Sequence, residues 1–209
     1  MEKEKMLVTQ GLNELKLLDN RIVREIQKAS FITAAKTKDT KVTSNITKME
    51  YADNAKATYQ SVNDLINRRK RIKAAIVDSN ARTMVTIHGI EMTVAEAIEM
   101  KTSIEYEEGL LKTLKNQNEN AKSTVARQNI LMEEKIDKYL ETMMGREAKT
   151  KKEDYSEMID PIREANEYSL VDPLGVEKII TELSDKIDGF RSEVDSKLQI
   201  SNCITWIEF

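Results

Sequence analysis

The sequence predicts an all-α protein, a coiled-coil bundle of long antiparallel helices with a small two-stranded β-hairpin near residues 83–93. Three observations predict it. Charged residues make up 33% of the 209 and aromatics 5%, with 6 Gly and 2 Pro, and such a scarcity of turn formers beside abundant Glu, Lys, Leu, Ile and Ala marks long helices packed on one another. Apolar residues recur at steps of three and four along most of the chain, as on one face of a helix. In TMVTIHGIEMTVAE, residues 83–96, the period becomes two: Val85 and Ile87 alternate with polar neighbours, Gly89 breaks the run, and Ile90, Met92 and Val94 alternate again.

In chain order, a first helix is expected from about Lys3 to Ile32, with Leu12, Leu15, Leu18, Ile22 and Ile26 as its stripe. Residues 33–48, rich in Thr, Lys and Ser, read as an exposed loop that serves either as a binding loop or as a connector. A second helix from Met49 turns Tyr59, Val62, Leu65, Ile66, Ile72 and Ile76 inward. After the ribbon, Thr93 and Glu96 form a capping box that opens a third helix, which runs on to Met143 with a bend or break expected around residues 115–120, where Asn116, Asn118 and Asn120 lower helix propensity. Gly145 and the charged stretch 148–154 mark a boundary, followed by a short helix over 155–168. Asp172 is placed to cap the last helix and Pro173 to occupy its first position. There Val176, Ile180, Leu183, Ile187, Phe190, Val194 and Leu198 form a heptad-like seam that needs a partner helix, from this chain or from another copy. Residues 202–209 are too apolar to float free and are expected to dock, as a short strand against the ribbon. The organisation read from this is 1–145 as a helical hairpin with the ribbon and 146–209 as a helical segment packing back on it, one intertwined domain.

Charge is uneven. Residues 66–82 carry six Lys/Arg against Asp78, a net of +5, and residues 91–108 carry six Glu against Lys101, a net of −5. If the second and third helices lie antiparallel, these fields face each other. The overall net charge of −3 gives no global attraction to nucleic acid or to an anionic membrane, so anion binding has to be local. The single cysteine, Cys203, excludes an internal disulfide framework and a multi-cysteine metal site. No stretch of about 18 apolar residues occurs, and no secretory signal opens the sequence. A soluble protein of a reducing cytoplasm is expected, the host's cytoplasm if a phage encodes it.

Asn80-Ala-Arg-Thr83, the run Met92 to Ile98, Val171-Asp172 and Leu198-Gln-Ile-Ser-Asn202 together resemble the septicolysin-like family of small helical bacterial and phage proteins. The likeness covers roughly residues 6–32, 58–105 and 170–205. It implies a helical topology, singles out Asn80, Thr83, Asn202 and Thr205 as matched polar positions, and supplies no assigned activity.

Residues for catalysis are sparse. His88, the one histidine, sits at the hairpin tip with no partner by spacing, and no glycine-rich phosphate loop, paired His/Cys set or nucleophile elbow is present. The sequence therefore points to a protein that is not an enzyme and uses no cofactor and no metal. The basic run reads in three ways: a solvated or ion-paired helix face, a nucleic-acid grip, which net acidity and few aromatics oppose, or an anion pocket. In the third reading a homo-oligomer gathers its arginines by symmetry around a small phosphorylated, nucleotide-like ligand, held by Arg68, Arg69, Lys73, Asn80, Arg82, Thr83 and Asn202. By analogy with other small phage oligomers, such a protein sequesters a nucleotide immune messenger. The alternatives are a coiled-coil scaffold or phage accessory protein with no small ligand, and a metal-dependent hydrolase using Glu96, Glu99 and Glu105.

Overall fold

The structure, a computed structural model, describes residues 4–147 and 152–209. It is 76% helical, with five helices and only small two-stranded sheets among the described residues, so the all-α class with a small hairpin holds. In chain order the elements are β1 (Lys5–Leu7), α1 (Val8–Lys28), β2 (Lys41–Thr43), β3 (Ile46–Thr47), α2 (Lys48–Arg82), β4 (Met84–Ile87), β5 (Ile90–Thr93), α3 (Val94–Met144), α4 (Ser156–Asn166), α5 (Val176–Ile204) and β6 (Trp206–Glu208), with a 3-10 turn at Lys152–Tyr155 before α4.

Two compact units divide the chain, residues 1–102 with 190–209, and residues 103–189. The expected division at residue 145 falls inside the second unit. Gly145, at φ +90°, does end α3, but the helix on one side and the segment on the other share a single core. Met132, Ile136 and Leu140 of α3 pack there with Ile159 of α4.

The first unit is built on an antiparallel pair, α1 and α2. Its core joins Val8, Leu15 and Leu18 of α1 to Ile72 and Ile76 of α2 and to Ile207 of β6. Of the stripe expected on the first helix, Leu15 and Leu18 are buried and Ile26 is exposed. The helix itself is shorter than expected. Residues 5–7 are a strand paired antiparallel with residues 206–208 in the register Lys5↔Glu208, Met6↔Ile207, Leu7↔Trp206. The docking of the last residues is thus as expected, but the strand they join is β1 and not the ribbon. Lys-Met-Leu fits a strand as well as a helix, and the long-range hydrogen bonds decide. The expected start at Lys3 lies outside the described residues. The loop after α1 contains the small β2–β3 pair, and Tyr59, expected inward, is exposed with its ring edge-on to Phe31.

Gly11 is where α1 comes closest to its neighbours. A Cβ there would lie 3.1 Å from Ile207 Cδ1 and 3.2 Å from Ile76 Cδ1, so the missing side chain is what admits both isoleucines.

The ribbon pairs as the alternation predicts, from Met84↔Thr93 to Ile87↔Ile90. His88 at φ 49° and Gly89 at φ 75° form its two-residue turn; two positive φ values match the twist of paired strands. The His88 amide donates to Glu193 Oε2 at 2.9 Å. The capping box forms, with the Thr93 amide donating to Glu96 at 2.7 Å and the Glu96 amide to Thr93 Oγ1 at 3.1 Å.

In the second unit, α3 continues without the break expected at Asn116–Asn120. The propensity loss is a few tenths of a kcal/mol per Asn, and flanking Leu111 and Leu114 are part-covered on the inward face. α5 runs antiparallel beside it, tied by Lys186 Nζ to Glu107 at 2.7 Å and by the Lys122–Glu177 pair. Asp172 accepts from the amides of Leu174, Gly175 and Val176. It caps the last helix as expected, but Pro173 lies in the turn before it, because Gly175 at φ +67° delays the first helical residue to Val176. The α5 seam finds cover inside the chain at Ile187, Phe190 and Val194, which are buried.

Ile72 has no exposed surface. Ile72→Ala should lower unfolding stability by about 2–5 kcal/mol, and Gly11→Val by about 1–3 kcal/mol through overpacking, both read as a lower urea midpoint.

Candidate functional site

The basic run of α2 is the candidate, and two of its arginines, Arg68 and Arg69, are met from within the chain. Arg68, half-buried, donates from Nη1 to Glu4 at 2.8 Å and from Nε to Glu14. Its guanidinium carbon lies 5.5 Å from the centre of the Phe209 ring, a cation–π distance. Arg69 pairs with Asp19 through two nitrogens. The hydrogen bond from Arg68 holds Glu4 below the usual carboxylate range, with its charge and that of Arg71 adding to the effect. The hydrogen bond from Arg69 does the same to Asp19. Hydrogen bonds to Glu4 and Glu14 in turn raise Arg68.

The opposed charge fields expected between the second and third helices are therefore not what neutralises this run. The partners of Arg68 and Arg69 come from the N-terminal segment and α1, because α1 is the helix laid antiparallel on α2. The acidic start of α3 is used elsewhere. Glu96 caps its own helix, and in the second unit Glu107 takes Lys186, while Lys101, the one base of that stretch, reaches Asp195 of α5 at 2.5 Å.

Helix geometry also separates the expected ligand set. Arg69 and Lys73 are four residues apart on one face, whereas Arg82 is 13 residues from Arg69, about 20 Å along the axis and on the opposite side. Arg82 pairs with Asp78 and, with Thr83, Ser79, Thr205 and Trp206, lines a groove of about 530 Å³. Asp78 and Glu208 line it too, and it sits at the C-terminal, negative end of a helix dipole. Asn80, half-buried, is not among the residues that line it. Asn202 lines a different hollow, of about 370 Å³, beside Thr9 and Leu12 of α1. Of the seven expected residues, then, the structure brings Arg82 and Thr83 to one groove, keeps Arg69 and Lys73 on another face, commits Arg68 to the α1 contact and leaves Asn202 apart. Sequence spacing did not reveal Glu4, Glu14, Asp19 or Phe209 as partners of the run; all four are remote along the chain.

The second unit has its own charge cluster. Glu133 accepts from Arg163 Nε at 2.7 Å and from Lys152 Nζ at 3.1 Å, and Lys152 also reaches Asp137 at 2.5 Å. The Arg163 hydrogen bond, ahead of Lys152, lowers Glu133. These pairs fasten α4 and the turn before it to α3. Among the described residues no three His, Cys, Asp or Glu side chains are grouped so as to hold a metal ion, and no helix is long and apolar enough to cross a membrane. No protein-family model, curated protein or solved structure matches the chain, and the resemblance to the septicolysin-like family stays with the short motifs quoted for it.

Glu4, Asp19 and Glu133 all have lowered pKa values in the fold, so their contribution to stability is complete above their unfolded values and fades as pH drops through the lowered ones. Urea midpoints should fall between about pH 5 and pH 3. Glu4→Gln with Asp19→Asn should flatten that fall while lowering the midpoint at pH 7.

Proposed function

We propose that the protein works by binding and not by turnover, as a homo-oligomeric helical interaction protein. The observation that carries this reading is which groups the fold satisfies and which it leaves. Arg68 and Arg69 are met by carboxylates of their own chain, while long apolar side chains stay exposed on helix faces. In the first unit these include Leu17, Val23 and Tyr59, and in the second Tyr106, Leu110 and Ile130. Adjoining exposed apolar side chains mark surfaces where soluble proteins associate, and Tyr106 and Leu110 stand one turn apart on α3. Glu96, of the acidic face a hydrolase would use, is engaged in capping α3.

A second reading, a small phosphorylated ligand, is favoured by the shared groove of Arg82 and Trp206. A guanidinium donates hydrogen bonds to phosphate oxygens, and an exposed indole is a stacking plate for a base. Against it stand Asp78 and Glu208 in the same groove.

Light scattering should give a mass of at least twice 23.9 kDa, and a nucleotide panel should leave the melting temperature unchanged. A clean monomer removes the first reading. A nucleotide-dependent rise that Arg82→Ala abolishes establishes the second.

A further inference from the structure

Resting on the interaction reading, we propose that α3 pairs antiparallel with α3 of a second copy, through a stripe one position away from the seam that faces its own chain. The inward seam of the helix passes through Met132, Ile136 and Leu140. Shifted by one residue, Tyr106, Leu110, Thr113, Gln117 and Ala121 follow each other at steps of four and three. Thr124, Gln128, Leu131, Lys135 and Tyr139 continue it. All ten fall within a sector of about 80° on an ideal helix, and all are exposed except Gln128, which is half-covered. Tyr106 is 82% exposed and Leu110 52%.

The stripe is depleted of charge. One of its ten residues is charged, Lys135, against 11 of the other 24 between residues 106 and 139. A solvated face has no reason to exclude charge so selectively, and depletion of charge is a mark of interface cores. Steps of three and four suit a helix as the occupant.

The order of residues identifies that helix as the same one inverted. About a midpoint between residues 122 and 123, Tyr106 matches Tyr139, Gln117 matches Gln128, and small Ala121 matches Thr124. A two-fold interface requires such self-complementarity. Charge gives the same direction. In parallel, Lys135 would meet Lys135 and the flanking Arg127 would meet Arg127. Inverted, Lys135 meets Leu110, and the flank carrying Arg127, Glu134 and Lys138 meets the uncharged flank of Gly109, Asn116 and Asn120.

Holes for the partner's side chains are present. A hollow of about 290 Å³ lies between Gln117, Ala121 and the segment Leu170–Leu174. Another of about 330 Å³ lies between Gln128, Leu131, Tyr139 and Tyr168. The partner's Tyr106 arrives at the level of Tyr139, on the edge of the second. Thirty-four residues of helix run about 50 Å, and a strip of that length about 10 Å wide gives on the order of 500 Å² per copy. The exposed Tyr168, Leu170 and Leu174 raise this toward the roughly 800 Å² per partner of a stable interface.

Leu110→Glu with Leu131→Glu should reduce the light-scattering mass to 23.9 kDa while the far-ultraviolet helix signal is kept. Direction is read in a Cys203→Ser background. Chains carrying Gln117→Cys and chains carrying Gln128→Cys should cross-link under mild oxidation when mixed, and Gln117→Cys alone should not, its two copies standing about 16 Å apart along the axis, beyond disulfide reach. A double variant that stays oligomeric, or Gln117→Cys that cross-links by itself, overturns this pairing and leaves the interaction reading intact. A wild-type monomer overturns both.

Discussion

The first unit depends on one packing constraint. Two antiparallel helices cannot by themselves enclose an apolar seam, and α1 and α2 are two. The third wall is Ile207, brought by a strand from nearly two hundred residues away and seated where Gly11 leaves room. Its neighbours are held by the same contact, for Phe209 lies against the Arg68 guanidinium, which also grips Glu4 and Glu14. Backbone pairing of β1 with β6, the isoleucine core and the arginine network are therefore one joint, and each part orders the others.

Seen this way, the basic run is architecture. An isolated exposed ion pair is worth little, but Arg68 is half-buried and shared among two carboxylates and a ring, a network in which the groups reinforce one another. An arginine so placed would leave carboxylates crowded together if removed, and its positive charge is not at the disposal of a ligand. The second unit uses Glu133 similarly, as the hub between Lys152 and Arg163. In both places arginine and lysine side chains join one element to another: Arg68 and Arg69 tie α2 to the N-terminal segment and α1, and Lys152 and Arg163 tie α4 and the turn before it to α3.

Much of this was legible from the sequence where the determinants are local. The ribbon followed from alternation and Gly89, the start of α3 from Thr93 and Glu96, and the cap of the last helix from Asp172. What was not legible is non-local. Lys5-Met6-Leu7 has no strand signature of its own, and only pairing with residues 206–208 fixes it. The partners of Arg68 and Arg69 lie fifty or more residues away, in the N-terminal segment and on α1, whereas the sequence offered an equally good set of glutamates in the next helix, and pattern alone gives no basis for choosing. Local rules also overstated their reach in two places: three asparagines did not interrupt α3, and Pro173 did not open α5, because packing on one side and Gly175 on the other outweighed propensity. Within one chain the candidate ligand residues stand apart, since Arg69 and Arg82 on the same helix point in different directions and Asn202 lines another hollow.

The strand β6 also sets a timetable. During synthesis at about 5–20 residues per second, some 125 residues separate the end of α2 from Ile207, so the helical hairpin stands for roughly 6–25 s with Ile72 and Ile76 bare on one side. Over that interval the core of the first unit lacks one of its walls, and it closes only once this short strand has been made.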